Sequence, residues 1–151
     1  MPDAYTLEAG RGVTLRDGRD AAIVGYGPIL MAGAWRAADE LSAQGISAAV
    51  INLPWLNRIE DGWVRDTLGR FPVIVTLDNH YVALGQGVMV AAALARNGVR
   101  AEVRSIGLTD IPACGSNAEV LQHHGLDGSS IAHAVHACIH TKSSTGSTTL
   151  K

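Results

Sequence analysis

The architecture of this chain follows from the segment Val73-Ile-Val-Thr-Leu-Asp-Asn-His-Tyr-Val-Ala-Leu-Gly-Gln-Gly87. Its first five residues are apolar or β-branched without interruption, as expected of a strand that is buried on both faces. The polar residues Asp78 and His80 follow at once, and the Gly-x-Gly at 85–87 introduces an alanine-rich helix predicted over 87–96. A buried strand that leads through a turn into a helix is the repeating unit of a parallel α/β sheet.

The same alternation extends in both directions along the chain. Ala48-Ala-Val-Ile-Asn-Leu53 is a second continuous apolar strand, and the helical spacing of apolar residues from Leu30 to Leu41 predicts a helix before it. A further short helix is predicted over 59–68. Ala101-Glu-Val-Arg-Ser-Ile106 alternates apolar and polar residues, which predicts a half-exposed strand near a sheet edge. We therefore expect a three-layer α/β/α domain with a mostly parallel, five-stranded sheet.

The two ends of the chain complete this prediction. Asp17-Gly18 lies between two strand-like runs, and this dipeptide suits a tight hairpin turn, so one antiparallel edge strand is expected from an N-terminal hairpin. A last helix is expected to begin at about Asp127 or Ser129. Beyond His140 the residues are almost all polar, which predicts a domain over 1–140 and a disordered tail over 141–151.

Composition and charge narrow the class of protein. The chain has 151 residues, of which 47% are hydrophobic and 17% charged, and its net charge is −2. One domain is expected, with no nucleic-acid or membrane partner, because no basic patch and no apolar run of about 18 residues is present. Two cysteines do not form a disulfide framework, so the sequence predicts a cytoplasmic protein.

One acid and one histidine could carry chemistry. Asp78 could orient His80 as a general base directly after a buried strand. No serine or cysteine lies in a recognisable nucleophile motif, so a structural or interface role is favoured for both residues.

Two pairs of glycines could hold an anion. Gly25 and Gly27 lie where a strand turns into a helix, and Gly85 and Gly87 offer a similar nest of backbone amides. The dinucleotide fingerprint is incomplete, because Leu30 stands where its third glycine is required. Tight turns and close helix packing are therefore the favoured interpretation of these glycines.

Three histidines form a stripe on the predicted last helix. His133, His136 and His140 lie within about 60° of one another around the helix, and their spacings of three and four can ligate a metal. The apolar residues of the same segment lie on the opposite side. A solvated polar face is therefore the favoured interpretation, and no metal site is predicted.

Four segments, in this order, resemble the C-terminal domain of transketolases and of the related deoxyxylulose-phosphate synthases and E1 β-subunits. They are Gly18–Gly27, then Ala37–Ile46 with Val50–Leu53, then Val73–Gly87, and finally Arg104–Asp110 with Cys114-Gly115 and Leu121–Leu126. The resemblance covers roughly residues 5–140. The chain departs from the family pattern at Asn57-Arg-Ile-Glu60, and at Leu84, where the family often has a glycine.

The resemblance implies a C-terminal domain or subunit of a thiamine-diphosphate-dependent enzyme that transfers ketol or aldehyde groups. The family's Gly-Asp-Gly…Asn metal motif and its cofactor-activating glutamate have no counterpart in this sequence. No catalytic or cofactor-binding residue is therefore expected here, and whether the chain alone is an enzyme stays open. Thiamine diphosphate and a divalent metal such as Mg²⁺ are expected in the complete enzyme.

The expected role is assembly and interdomain packing. The partner implied is a chain that carries the pyrophosphate and pyrimidine domains, in a homo- or hetero-oligomer. Asp78, His80, Gly85 and Gly87 carry over as an interface or interdomain loop. Two alternatives stay open: a stand-alone small-anion-binding or regulatory module, and an independent hydrolase or metal enzyme built on His80 or on the histidine stripe.

Overall fold

The computed structural model describes the backbone of residues 6–145 and the side chains of residues 6–141. Strands and helices alternate along this range. They are β1 (Val13–Arg16), β2 (Ala21–Gly25), α1 (Pro28–Ala43), β3 (Ala48–Asn52), α2 (Asp61–Trp63) with a π-helical turn (Val64–Leu68), β4 (Val73–Tyr81), α3 (Gln86–Arg96), β5 (Glu102–Leu108), α4 (Asn117–His123) and α5 (Gly128–Thr145).

One five-stranded sheet in the order β1-β3-β2-β4-β5 forms the middle layer. β3, β2, β4 and β5 are parallel and β1 is antiparallel to β3. Adjacent residues of β2 face opposite layers: Ile23 packs with Leu41 of α1 and Val135 of α5, whereas Val24 packs with Trp63 and Val90. The predicted three-layer, mostly parallel α/β architecture is confirmed.

The predicted pairing of β1 in a hairpin with β2 is wrong. β1 pairs with β3, with Val13 opposite Asn52, and β2 lies on the other side of β3. Gly18 does not have a positive φ, and a Cβ there would lie 2.1 Å from the backbone nitrogen of Ala49. The Asp-Gly pair thus serves a close crossing past the start of β3 and not a tight turn. The backbone amides of Arg19 and Asp20 donate hydrogen bonds to the backbone carbonyl oxygen of Ser47 at this crossing.

β4 is longer than its apolar run predicts. The apolar part ends at Leu77, but the strand continues to Tyr81, which pairs with Leu108 of β5 after an irregularity in the ladder. Gly107 allows this continuation, because a Cβ at that position would lie 2.8 Å from the carbonyl oxygens of Asp78 and His80. The polar residues expected in a loop therefore lie on the end of a strand.

The helix termini follow ordinary capping chemistry. The Glu60 carboxylate accepts hydrogen bonds from the amides of Gly62 and Trp63 at the start of α2, and these bonds lower the pKa of Glu60. Ser116 and Glu119 form a reciprocal capping box on α4. Asp127, one of the two predicted caps of the last helix, accepts from the amide of Ser130.

The C-terminal helix reaches into the segment predicted as a tail. α5 continues to Thr145, and the remaining residues 146–151 of that predicted tail lie outside the described residues. Within the described range, no helix combines the length and the apolar character needed to cross a lipid bilayer.

Candidate functional site

The strand order creates a crevice between β2 and β4. α1 leads from β2 to β3 on one side, and β4 lies on the other side, so the connections diverge at the carboxyl ends of β2 and β4. Ligands of open α/β sheets usually bind in the crevice at such a switch point. A cleft of about 220 Å³ lies here, and its lining residues are Tyr26, Leu56, Asp78, His80, Leu84, Gly85 and Gln86.

Asp78 is the buried anion of this crevice. Its side chain is only 1% exposed, and its two carboxylate oxygens accept hydrogen bonds from the amide of Gln86 at 2.8 Å and from that of Gly87 at 3.2 Å. The carboxylate thus caps the N-terminus of α3, where the exposed amides and the helix dipole favour a negative charge. A Cβ at Gly85 would lie 2.7 Å from Asp78 Oδ2, so the close approach requires glycine.

Tyr26 lies across the crevice from this carboxylate. Its hydroxyl donates a long hydrogen bond of 3.4 Å to Asp78 Oδ1. Burial, followed by the nearby Asp78 charge, raises the pKa of the Tyr26 hydroxyl, because both oppose formation of a second anion. Tyr26 therefore stays a neutral donor near pH 7.

Gln86 ties α3 to the segment that follows β3. Its side chain is 1% exposed, and Nε2 donates to the carbonyl oxygen of Leu53 at 2.6 Å and, more weakly, to that of Trp55 at 3.3 Å. Its Oε1 is buried without a hydrogen-bond partner among the described residues. Sequence reasoning missed Gln86, because its partners lie more than thirty residues away along the chain.

Gly87 fixes the position of α3 on the sheet. A Cβ there would lie 2.1 Å from Ser105 Oγ and 2.4 Å from Thr76 Oγ1, which donates a hydrogen bond to Ser105 Oγ. The helix therefore rests directly on β4 and β5, as the predicted role of this glycine in close packing requires.

The anion-nest alternative is not supported at Gly85 and Gly87. The amides of Gln86 and Gly87 already donate to Asp78, so the protein's own carboxylate fills the nest. At the other nest, Gly27 has a φ of 73° and Pro28, the first residue of α1, has no N–H to offer. A Cβ at Gly25 would lie 2.8 Å from Met31 Cε, which indicates close packing. An anion at Gly25 and Gly27 stays a prediction.

His80 is not paired with Asp78. Its side chain is exposed on the end of β4, and its ring contacts that of Tyr81 edge to face at a centroid distance of 5.6 Å. The Asp78 carboxylate is directed to the amides of α3 instead. The arrangement therefore lacks the oriented base that an independent hydrolase would need at this position.

Apolar side chains lie exposed beside the crevice. We call this group the apolar rim; its members are Leu56, Tyr81, Leu84 and Val88. Leu84 is 94% exposed and has a φ of 64°, which is a left-handed conformation that costs a non-glycine residue on the order of 1 kcal/mol or more. Leu56 follows β3, Tyr81 ends β4 and Val88 lies in the first turn of α3, so exposed apolar side chains come together at the carboxyl edge of the sheet. Such a group is typical of a surface that contacts another protein.

Comparison with known proteins gives one consistent result. The family described as "Transketolase, C-terminal domain" matches residues 10–131. A protein of Methanocaldococcus jannaschii, named as a transketolase C-terminal section, is 32% identical over 131 residues, which are 86% of this chain and 40% of the relative. The 1-deoxy-D-xylulose-5-phosphate synthase of Thioalkalivibrio sulfidiphilus is 31% identical over 137 residues, which are 90% of this chain and 20% of the enzyme.

Solved structures agree with this result. A split-gene transketolase, in the form of an inactive beta4 tetramer, superposes with a TM-score of 0.80 at 30% identity, over 93% of this chain and 44% of that one. A transketolase from Pichia stipitis superposes with a TM-score of 0.67 at 19% identity, over 89% of this chain and 19% of that one, and shows the fold alone. This chain thus spans less than half the length of each of these relatives.

Proposed function

This chain belongs to the transketolase C-terminal domain family, and on that premise we propose that it is the C-terminal domain or subunit of a transketolase-like enzyme. That enzyme transfers ketol or aldehyde groups with thiamine diphosphate. The chain contributes assembly and packing surface, and its partner carries the pyrophosphate and pyrimidine domains. The family match over residues 10–131 supports the C-terminal assignment. The Methanocaldococcus jannaschii relative, named as a C-terminal section, supports an enzyme that is divided into parts, and this chain covers 40% of that section.

The carboxyl edge of the sheet supports an assembly role. Two polar groups of the crevice are engaged inside the chain: the Asp78 carboxylate accepts from the amides of α3, and the Gln86 side-chain amide donates to the carbonyls that follow β3. What this edge of the sheet presents outward is the apolar rim. We therefore propose that the segment containing Asp78, His80, Gly85 and Gly87 is the interface loop: the buried residues hold its shape, and Leu84 and its neighbours make the contact.

Thiamine diphosphate does not fit the crevice of this chain. A diphosphate needs N–H donors and a metal ion, whereas the amides at the start of α3 are occupied by Asp78. That carboxylate would also repel a second anion at the same helix end. Within the described residues, no three or more His, Cys, Asp or Glu side chains gather in a way that could hold a metal ion. We therefore expect thiamine diphosphate and Mg²⁺ to bind at residues of the partner in the complete enzyme.

The test is reconstitution with a candidate partner that carries the Gly-Asp-Gly motif. Ketol transfer is measured with thiamine diphosphate and Mg²⁺ for this chain, for the partner and for their mixture, and association is followed by size-exclusion chromatography with light scattering. We expect turnover from the mixture, together with a complex that contains both chains. Turnover by this chain alone would contradict the proposal, as would a mixture that neither associates nor gains activity.

A further inference from the structure

α5 brings two imidazole rings together on its outer side. His136 and His140 are four residues apart, so they lie one helical turn from each other on the same face. Their ring centroids are 4.1 Å apart and the ring planes are tilted by 45°. His140 is exposed and His136 is half-buried, which leaves the pair open to solvent on one side.

The chemistry of two neighbouring imidazoles is that of a metal chelate. A neutral imidazole offers one nitrogen lone pair to a metal ion. Zinc accepts such nitrogens at about 2.0–2.1 Å, and two histidines at positions i and i+4 on one helix face are a spacing that binds it. The torsion that turns an imidazole ring is broad, so either ring can rotate its nitrogen toward a shared ion.

We propose that His136 and His140 chelate one divalent transition-metal ion of the zinc, nickel or copper class, through one ring nitrogen each. Water completes the coordination, since no group of three or more ligand side chains is found among the described residues. Mg²⁺ and Ca²⁺ are excluded from this site, because they require oxygen ligands. The site is thus distinct in chemistry from the Mg²⁺ expected beside thiamine diphosphate.

The other histidines of the chain provide matched controls. His133 belongs to the same exposed stripe and lies seven residues from His140, roughly 10 Å along the helix axis, so it cannot share an ion with His140. It is three residues from His136, but within the described residues the ring of His136 contacts that of His140 and not that of His133. His123 and His124 are in edge-to-face contact at 4.9 Å, but His124 Nε2 already accepts a hydrogen bond from the amide of Ala113. Neither His133 nor His123 is expected to contribute to the chelate.

The experiment is calorimetric titration of the tag-free full chain with Zn²⁺. We expect one equivalent to bind, with affinity reduced by about tenfold or more in either His136→Ala or His140→Ala, since even the loss of an outer-shell partner costs 10–100-fold. His133→Ala and His123→Ala should change the affinity less than about twofold, and Mg²⁺ should give no binding heat. Circular dichroism confirms that each variant is folded, which the exposure of these side chains favours.

A spectroscopic measurement locates the ion independently of affinity. In the imidazole region of an NMR spectrum, Zn²⁺ should shift the resonances of His136 and His140 and leave the other histidines in place. The proposal is overturned if the wild-type chain does not bind Zn²⁺, if the double variant His136→Ala/His140→Ala binds it as tightly as the wild type, or if the shifts fall on His123 and His124.

Discussion

Asp78 shows how a single charge organises the end of a strand. A carboxylate that is 1% exposed is stable only if its environment replaces the lost water, and here two backbone amides and the positive end of α3 do so. In return, Asp78 satisfies two amide groups that the helix itself leaves without partners. The residue therefore holds the strand end and the helix start in a fixed relation.

Removing that carboxylate should destabilise the domain. Asp78→Ala leaves two buried amides without acceptors, and we expect the free energy of unfolding to fall by about 2–4 kcal/mol, because hydrogen bonds to a charged group contribute the most. Urea denaturation measures the change. Asp66→Ala removes an exposed carboxylate and is the matched control, with an expected effect within about 0.5 kcal/mol. Equal stability of the two variants would show that Asp78 is not an important cap.

The contrast between Asp78 and Gln86 shows which site residues could be predicted. Asp78, His80, Gly85 and Gly87 stand together in one segment directly after an apolar run, so local pattern marks them as candidates. Gln86 gives no such signal, because its importance comes from carbonyl oxygens beyond β3 that only the fold brings near.

At the level of strands and helices, the local sequence pattern predicts whether a segment is a strand or a helix better than it predicts which strand it pairs with. The continuous apolar runs of β3 and β4 identify buried strands, because a strand buried on both faces needs an apolar residue at nearly every position. The residues of β1 and its turn do not indicate which strand β1 pairs with. Asp17-Gly18 carries the signal of a hairpin turn, yet Gly18 is required by the distant backbone of Ala48 and Ala49.

The crossing at Gly18 can be tested by substitution. Gly18→Ala would place a Cβ 2.1 Å from the Ala49 nitrogen, which forces β1 or β3 to move, and we expect a loss of about 1–3 kcal/mol in the free energy of unfolding. Asp17→Ala, at the exposed first position of the same dipeptide, should change stability by less than about 0.5 kcal/mol. A hairpin turn would instead make the chain sensitive at both positions, and thermal or urea unfolding distinguishes the two outcomes.

At the scale of the whole molecule, apolar side chains are found both in the core and on the described surface. Most large apolar side chains lie in the two cores on either side of the sheet, and the exposed ones include the apolar rim at the carboxyl edge. On the proposed function, the apolar rim is the surface that the remaining domains of the enzyme contact. The sequence pattern alone predicts the α/β architecture but not the residues of this surface, because their exposure depends on how the loops lie in the folded domain.

Substitution of Leu84 gives the most direct test of the proposed interface. Leu84→Asn keeps a residue that tolerates left-handed backbone and removes the apolar side chain. We expect association with the partner chain to weaken by about tenfold or more, as for a central contact residue, with no loss of folded stability. Trp35→Gln, at an exposed apolar residue of α1 outside the rim, should leave association unchanged. Unaltered affinity in Leu84→Asn would rule out the rim as the contact.

The pairing of β1 with β3 also has a consequence for how the chain folds. Thr14 pairs with Ile51, so β1 closes a loop of roughly 35 residues, and the entropy of that closure must be compensated by contacts that form elsewhere first. The unit β2-α1-β3 contains its own parallel pairing and can assemble before β1 pairs with β3. During synthesis, β1 would then wait for β3 before joining the sheet, and until then the outer edge of β3 stays open to other chains.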